Sequence, residues 1–423
     1  MLEDLAIDDI KFKIDPETCF WGLGNLDELE KFYGEIKEEL VQEMHALRFD
    51  TDIILLYLNA TDRCNANCPY CYLPEEIKSR GRSMTYEEME EIVRKFVEFF
   101  DKSGMKGSIV FHGAEPFMIK EEMFRIIDDY NTEVNFGIQT NGTLLTEDDA
   151  EFIREKGINI GISFDSPDEK TDDLLRGKGH HEKILNDLYW FDGYERLNVV
   201  TTITKYNQRH LVEMVRFLSE RKLGLCLMNP VRGTQKAAIS LRPDPLELAD
   251  EFIRAVDEAI ELTKNGRRFV IGDFANLLLG IVAPSTRILM CDISPCGGGR
   301  RFLAVAADGN AYPCGEFIGK EEFLGGNIFS DSIEDICDSV GFNKVRKRSV
   351  EEISECDICP FRNICGAPCP SEIDSTDGTM YKKSYYCDFY KKVIEHAFKV
   401  VYRDDVRYVL KERALKGVFS IRG

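Results

Sequence analysis

No apolar run in the 423-residue chain approaches the ~20 residues that a membrane-spanning helix needs. The opening MLEDLAIDDI is acidic where a secretory signal is basic and then apolar, so the expected location is the cytoplasm. Positive charge is short as well: 54 Lys and Arg stand against 75 Asp and Glu, a formal net charge of −21. A surface of that sign repels phosphate backbones and argues against nucleic acid as a partner. It attracts basic partners, a Lys-rich peptide for example, although solubility alone would also account for it. Internal repeats and low-complexity tracts are absent. Cysteine is almost missing from the middle of the chain, where only Cys226 lies between Cys71 and Cys291.

What is present fits a globular protein. Apolar residues make up 43 % and aromatics 11 %, enough for a sizeable core, and the length suits two or three domains. There are fourteen cysteines. In a reducing cytoplasm, clustered thiols point to metal rather than disulfides.

Their spacing is specific. Cys64-Asn-Ala-Asn-Cys68-Pro-Tyr70-Cys71 places three thiols in one short loop. The loop follows Ile53-Ile-Leu-Leu-Tyr-Leu58, a continuous apolar run of the kind found in strands buried on both faces. A structural zinc site takes four ligands. A [4Fe–4S] cube held by three cysteines keeps one iron free for a small molecule. The C-terminal group is broader: Cys291, Cys296, Cys314, Cys356, Cys359, Cys365, Cys369 and Cys387. Eight thiolates can ligate two cubes, or two zinc ions.

Residues 51–235 alternate strands and helices. Strands are expected near 53–59, 108–112, 133–139, 158–164, 197–204 and 224–229. Helices are expected near 84–103, 119–130, 145–156, 180–192 and 207–221. Six such units predict an α/β fold, a parallel sheet curled into a partial (β/α)6 barrel of the TIM type. Around it we expect an N-terminal segment (1–50) serving as a lid or peptide-recognition element, with an alternating stretch Ile10–Ile14 and a helix at 26–47. A helical bridge (236–284) follows, in which Leu246, Ala249, Phe252, Ile253, Val256 and Ile260 share a face. A cysteine-rich domain (285–390) carries a hairpin at 302–313, turning on Asp308-Gly309. A C-terminal helix region (391–423) contains a helix running to about 413.

CxxxCxxC after a first strand, with Tyr70 before the last cysteine, resembles the radical S-adenosylmethionine (SAM) enzymes. His112-Gly113-Ala114-Glu115-Pro116 is similar to that family's GGEP motif, with Ala114 replacing a glycine. Gln139-Thr140-Asn141-Gly142 and Gly161-Ile-Ser163-Phe-Asp165 resemble its later SAM-contacting segments. The resemblance implies that Gly113, Ala114 and Glu115 bind the methionine amine. It implies that Thr140, Asn141, Ser163 and Arg176 hold the polar groups of SAM, and that Tyr70 packs near adenine. The C-terminal cysteines resemble the SPASM extension of peptide- and protein-modifying members. That pattern implies one auxiliary cluster on Cys291, Cys296, Cys314 and Cys369, and another on Cys356, Cys359, Cys365 and Cys387. Three [4Fe–4S] clusters and SAM are therefore the expected cofactors, with reduced ferredoxin or flavodoxin as electron donor.

The implied activity is hydrogen abstraction by a 5′-deoxyadenosyl radical from a ribosomally made peptide, with thioether crosslinking as the expected outcome. The alternatives are sulfatase-type residue oxidation, modification of a small metabolite, or a non-catalytic electron carrier, which would have no use for the SAM motifs. In sulfatase-maturing relatives an Asp follows the third cysteine of the SPASM domain. Here Gly315 follows Cys314, and Glu316 is the nearest carboxylate able to act as base. Cys19 is the spare thiol that could donate hydrogen, while Cys226 and Cys337 read as core. His112 flanks the SAM motif, and the pair His180-His181 reads as a helix entry.

Overall fold

The computed structural model describes residues 2–411. The chain divides into two compact units. One comprises Thr51–Pro243 and Gly297–Lys347; the other comprises the residues up to Asp50, Asp244–Cys296 and those from Arg348 onward.

The first unit is built on a parallel sheet whose strands lie side by side in chain order: Leu55–Leu58, Ser108–Phe111, Asn135–Thr140, Asn159–Ser163, Leu197–Ile203 and Leu225–Pro230. Helices separate them, so every crossover returns to the next position in the same sense and the sheet curls. Leu56, Leu58, Ile109 and Phe111 are buried, while Tyr57 and Val110, paired across the first two strands, are half-buried on the other face. The helix Tyr86–Lys102 shows the local logic. Thr85 and Glu88 form a reciprocal capping box, and Met89, Ile92, Val93, Phe96 and Phe100 bury one stripe. These elements follow the sequence expectation, apart from short helices at Glu75–Arg80 and Glu169–Arg176.

The hairpin expected in the cysteine-rich region forms and also extends the barrel sheet. Phe302–Val305 pairs in parallel with Leu55–Leu58, and Asn310–Tyr312 and Gly326–Asn327 continue antiparallel beyond it. The reason is burial: all four residues of Phe302–Val305 are buried, as a strand with neighbours on both edges and both faces requires.

The second unit begins with a three-stranded antiparallel sheet, Glu3–Ile7, Ile10–Asp15 and Phe20–Gly22, followed by the helix Leu26–Phe49. Phe12, Trp21 and Phe398 pack edge to face or tilted, and Trp21 donates through Nε1 to the Ile281 carbonyl at 2.9 Å. The helix Pro245–Lys264 buries Leu248, Ala249, Phe252, Ala255, Val256, Ala259 and Ile260, with Phe252 edge-on to Phe389. Leu246 was expected on this face but is 52 % exposed. It sits in the first turn, three residues before Ala249, at the margin of the buried stripe and next to the helix end. The last long helix is Cys387–Tyr402, not a single helix to 413. Asp404 is left-handed (φ 59°), which ends it before a short turn at Val406–Val409. Residues 412–423, including the end of the expected helix, lie outside the described residues. Among the described residues no helix is long and apolar enough to cross a membrane.

Candidate active site

The loop after Leu55–Leu58 carries Cys64, Cys68 and Cys71 at the carboxyl end of the sheet, where curled parallel sheets collect functional groups. The Cys71 amide donates to the Cys68 carbonyl at 3.1 Å, turning the loop back on itself. Asn141 Nδ2 donates to Asn65 Oδ1 at 3.0 Å and points to Cys64 Sγ at 3.9 Å. Asn65 in turn donates to Thr143 Oγ1 at 2.7 Å. The three thiols lie near enough that the charges of Cys68 and Cys71 help to raise the Cys64 pKa; burial is the larger cause and brings it to about 11.

Gly113 and Glu115 sit beyond the second strand. Gly113 has φ 108°, and a Cβ there would fall 2.4 Å from Asn59 Cγ, so only glycine fits. Asn59 lies buried beside Tyr72, yet neither of its amide atoms makes a hydrogen bond of good geometry with the protein. Ala114 is not among the residues with positive φ, which is why a side chain is tolerated there. Glu115 is fully buried and accepts from Thr140 Oγ1 at 2.7 Å, the Asn141 amide at 2.8 Å and the Phe117 amide at 3.1 Å. Burial still raises its pKa.

Arg176 donates from Nε to Asp165 Oδ2 at 2.7 Å and from Nη2 to Asp165 Oδ1 at 3.2 Å, while Nη1 lies 3.9 Å from Cys68 Sγ. Tyr70 is buried, donates its hydroxyl to Asp165 and lies beneath the guanidinium, 5.2 Å from ring centre to Cζ. Burial, with a smaller contribution from Asp165, pushes the Tyr70 pKa well up and keeps the phenol protonated. Ser163 Oγ accepts from Gln139 Nε2 at 3.3 Å.

Two residues that the sequence reading did not place in the site hold these loops together. Asp172 Oδ1 accepts the Asp165 amide at 2.9 Å, its Oδ2 lies 2.6 Å from His180 Nδ1, and His180 Nε2 lies 3.0 Å from the Asn141 carbonyl. The segments around Asn141 and Asp165 are thereby tied through one buried imidazole. His180 does open a helix, as expected, but faces inward. The usable signal was Asp165 itself, a carboxylate at the end of a barrel strand.

Glu316 occupies the one-turn helix Gly315–Phe317, and its charge raises the pKa of Cys71 and Tyr72 after the larger effect of burial. Tyr72 Oη lies 3.1 Å from His112 Nδ1, and burial lowers the His112 pKa to about 4. Cys314 is in the same unit.

In the other unit, Cys356, Cys359, Cys365 and Cys387 line one cavity together with Phe361 and Ala367. Burial raises all three thiols Cys356, Cys365 and Cys387, the first to about 11. Such thiols lose their protons to a metal centre rather than to water. Cys291, Cys296 and Cys369 also belong to this unit. Among the described residues no three His, Cys, Asp or Glu side chains converge on a point as ligands of a single ion must. A cube, with one thiol per iron, makes no such demand. Cys19 is buried in the turn before Phe20–Gly22 with φ 59°, and burial raises its pKa to about 11. Cys226 and Cys337 are buried as core residues.

Residues 58–218 match the Radical SAM superfamily, and residues 296–360 match SPASM, an iron–sulfur cluster-binding domain. An uncharacterized protein of Archaeoglobus fulgidus is 50 % identical over 421 residues, covering 100 % of this chain and 99 % of that protein. A cysteine-type anaerobic sulfatase-maturating enzyme of Clostridium perfringens is 27 % identical over 370 residues, covering 81 % of this chain and 96 % of that enzyme. Native anSMEcpe with bound AdoMet and Cp18Cys peptide superposes with TM-score 0.70 at 23 % identity, covering 83 % of this chain and 98 % of that one. Streptococcus suis SuiB bound to precursor peptide SuiA superposes with TM-score 0.60 at 14 % identity, covering 88 % and 95 %.

Proposed function

The chain belongs to the radical SAM superfamily and carries a SPASM domain, and from that membership we propose that it oxidatively modifies a ribosomally made peptide, joining a cysteine sulfur to a carbon in a thioether. When bound, SAM and the cluster held by Cys64, Cys68 and Cys71 supply a radical able to take hydrogen from a C–H bond.

The chain's own residues would do the following. Gly113, Ala114 and Glu115 receive the methionine amine, the glycine letting backbone approach and the buried carboxylate accepting its protons. Thr140, Asn141 and Ser163 present neutral hydrogen-bonding groups to the remaining polar atoms, and Arg176 Nη1, not engaged with Asp165, faces the carboxylate. Tyr70 shields the site beneath Arg176. Glu316 takes up the proton that leaves the substrate, since its charge already reaches Cys71 and Tyr72. Cys19, kept protonated by burial, is the hydrogen donor if the outcome is epimerisation instead.

The observation that carries an oxidative outcome is the four-thiol cavity of Cys356, Cys359, Cys365 and Cys387. A cluster with all its irons bound to protein has no open position for substrate and suits passing an electron onward. The second set, Cys291, Cys296, Cys314 and Cys369, completes three [4Fe–4S] clusters, with reduced ferredoxin or flavodoxin as donor. The peptides bound by anSMEcpe and SuiB support a peptide as substrate.

Sulfatase maturation is the second reading, favoured by the Clostridium perfringens relative and opposed by Gly315 where those enzymes carry an Asp. The test is direct. Reconstituted enzyme, SAM and reductant are incubated with peptides from short open reading frames beside the gene and, separately, with a cysteine sulfatase peptide. Loss of two hydrogens with a sulfur–carbon bond located by fragmentation supports the thioether. Conversion of the sulfatase cysteine to an aldehyde, with the neighbouring peptides untouched, replaces it with the second reading.

A further inference from the structure

Arg348 is among the largest side chains wholly buried in the protein. It donates from Nε to the Met380 carbonyl at 2.8 Å, from Nη2 to the Ala367 carbonyl at 2.9 Å and from Nη1 to the Gly366 carbonyl at 3.4 Å. Gly366 and Ala367 are both left-handed (φ 67° and 49°) and turn the chain between Cys365 and Cys369. The guanidinium therefore braces the very turn that separates a cysteine of one SPASM ligand set from a cysteine of the other.

All three acceptors are neutral. Among the described residues no carboxylate forms an ion pair with Arg348. Taking a cation out of water costs several kcal/mol unless negative charge stands close by. The groups whose ionised form would offset that cost are thiols: Cys296, Cys369 and Cys356, in that order, oppose the lowering of the Arg348 pKa that burial imposes. Two of these belong to one proposed ligand set and the third to the other.

We propose that the Arg348 guanidinium is the buried counter-cation of both auxiliary ligand sets and holds the reduction potentials of the clusters they carry above the value the thiolates alone would give. A fixed positive charge favours whichever state has gained an electron. An external reductant supplies that electron, and no proton or bond change is required. The inference rests on the three-cluster reading above and adds a tuning residue to it.

The experiment uses the full chain with Cys64, Cys68 and Cys71 replaced by Ala, so that only auxiliary clusters remain. Iron content is measured first. If this background holds well under about eight irons, the three-cluster reading fails before Arg348 is tested. Arg348→Met and Arg348→Lys are then compared in an EPR-monitored redox titration with dithionite. In Arg348→Met at full iron content, at least one midpoint should move negative by a tenfold change in the oxidised-to-reduced ratio, about 59 mV for a one-electron couple. Arg348→Lys should stay near the parent. Arg348→Met with full iron and unmoved midpoints overturns the proposal. If Arg348→Met cannot hold iron, Arg348→Lys decides: full loading with parent midpoints supports the charge. Equal loss in both variants overturns the proposal in favour of a purely structural brace.

Discussion

Arg176 and Asp165 form a two-point ion pair with almost no exposure of either side chain, at 2.7 and 3.2 Å, directly beside Cys68. Asp165 also accepts the Thr202 amide at 2.8 Å and the Tyr70 hydroxyl, so its charge is distributed over three elements. Removing the arginine leaves a buried carboxylate short of its strongest partner. Arg176→Met should therefore lose about 3 kcal/mol of stability in anaerobic denaturant unfolding. Arg176→Met with Asp165→Asn should recover part of that loss, with a coupling of roughly 1–3 kcal/mol. Strict additivity of the two substitutions would show that the pair is not coupled as its geometry implies.

Gly113 offers a sharper contrast with its neighbour. At φ 108° and with Asn59 2.4 Å from where a Cβ would lie, Gly113→Ala forces the loop off its path. Ala114→Gly meets neither obstacle. Equilibrium dialysis should show SAM binding weakened at least tenfold in Gly113→Ala, which is about 1.4 kcal/mol, and little changed in Ala114→Gly. Equal effects in both would remove the geometric argument for the glycine.

The cluster assignment makes a prediction about stoichiometry. The wild-type protein purified anaerobically should hold roughly twelve irons, and replacing Cys64, Cys68 and Cys71 with Ala should leave about eight while abolishing 5′-deoxyadenosine formation. SAM cleavage by the triple variant is the result that would falsify the site.

Much of this was open to reading from the residues. The first barrel strand was legible as the continuous apolar run Ile53–Leu58, whereas a later one such as Leu197–Ile203 alternates buried and half-buried residues and was legible from its place between helices. Two helices that were expected near 84–103 and 145–156 start at Tyr86 and Glu147, each closed by a capping box, Thr85 with Glu88 and Thr146 with Asp149. What stayed hidden depends on chain segments far apart. Tyr70 meets Asp165 across 95 residues, and no local pattern encodes that. Phe302–Val305 does form half of the expected hairpin, but its second edge pairs with Leu55–Leu58, supplied from the other end of the unit, and nothing local encodes that pairing. Around Cys356–Cys365 the helices are four residues long, too short for any periodicity to emerge. There the thiols set the chain's course, and only their spacing was legible.

His112 gives a prediction with a definite sign. Its imidazole is half-buried beside Tyr72 Oη, 3.1 Å away, and desolvation lowers its pKa from 6.5 to about 4. The unfolded chain takes up this proton near pH 6.5, whereas the folded protein does so only near pH 4. Stability from this group is thus fully present above pH 6.5 and is lost as pH falls through that window, by no more than about 3 kcal/mol. At neutral pH the ring is uncharged, so a step in the rate of SAM cleavage near pH 6.5 should not originate here. His112→Gln should flatten the fall in thermal midpoint between pH 6.5 and 4.5 while leaving the shape of the rate profile between pH 6 and 8 unaltered. If the substitution erases an inflection in that profile, the imidazole titrates in the working enzyme, and its setting beside Tyr72 does not keep it neutral.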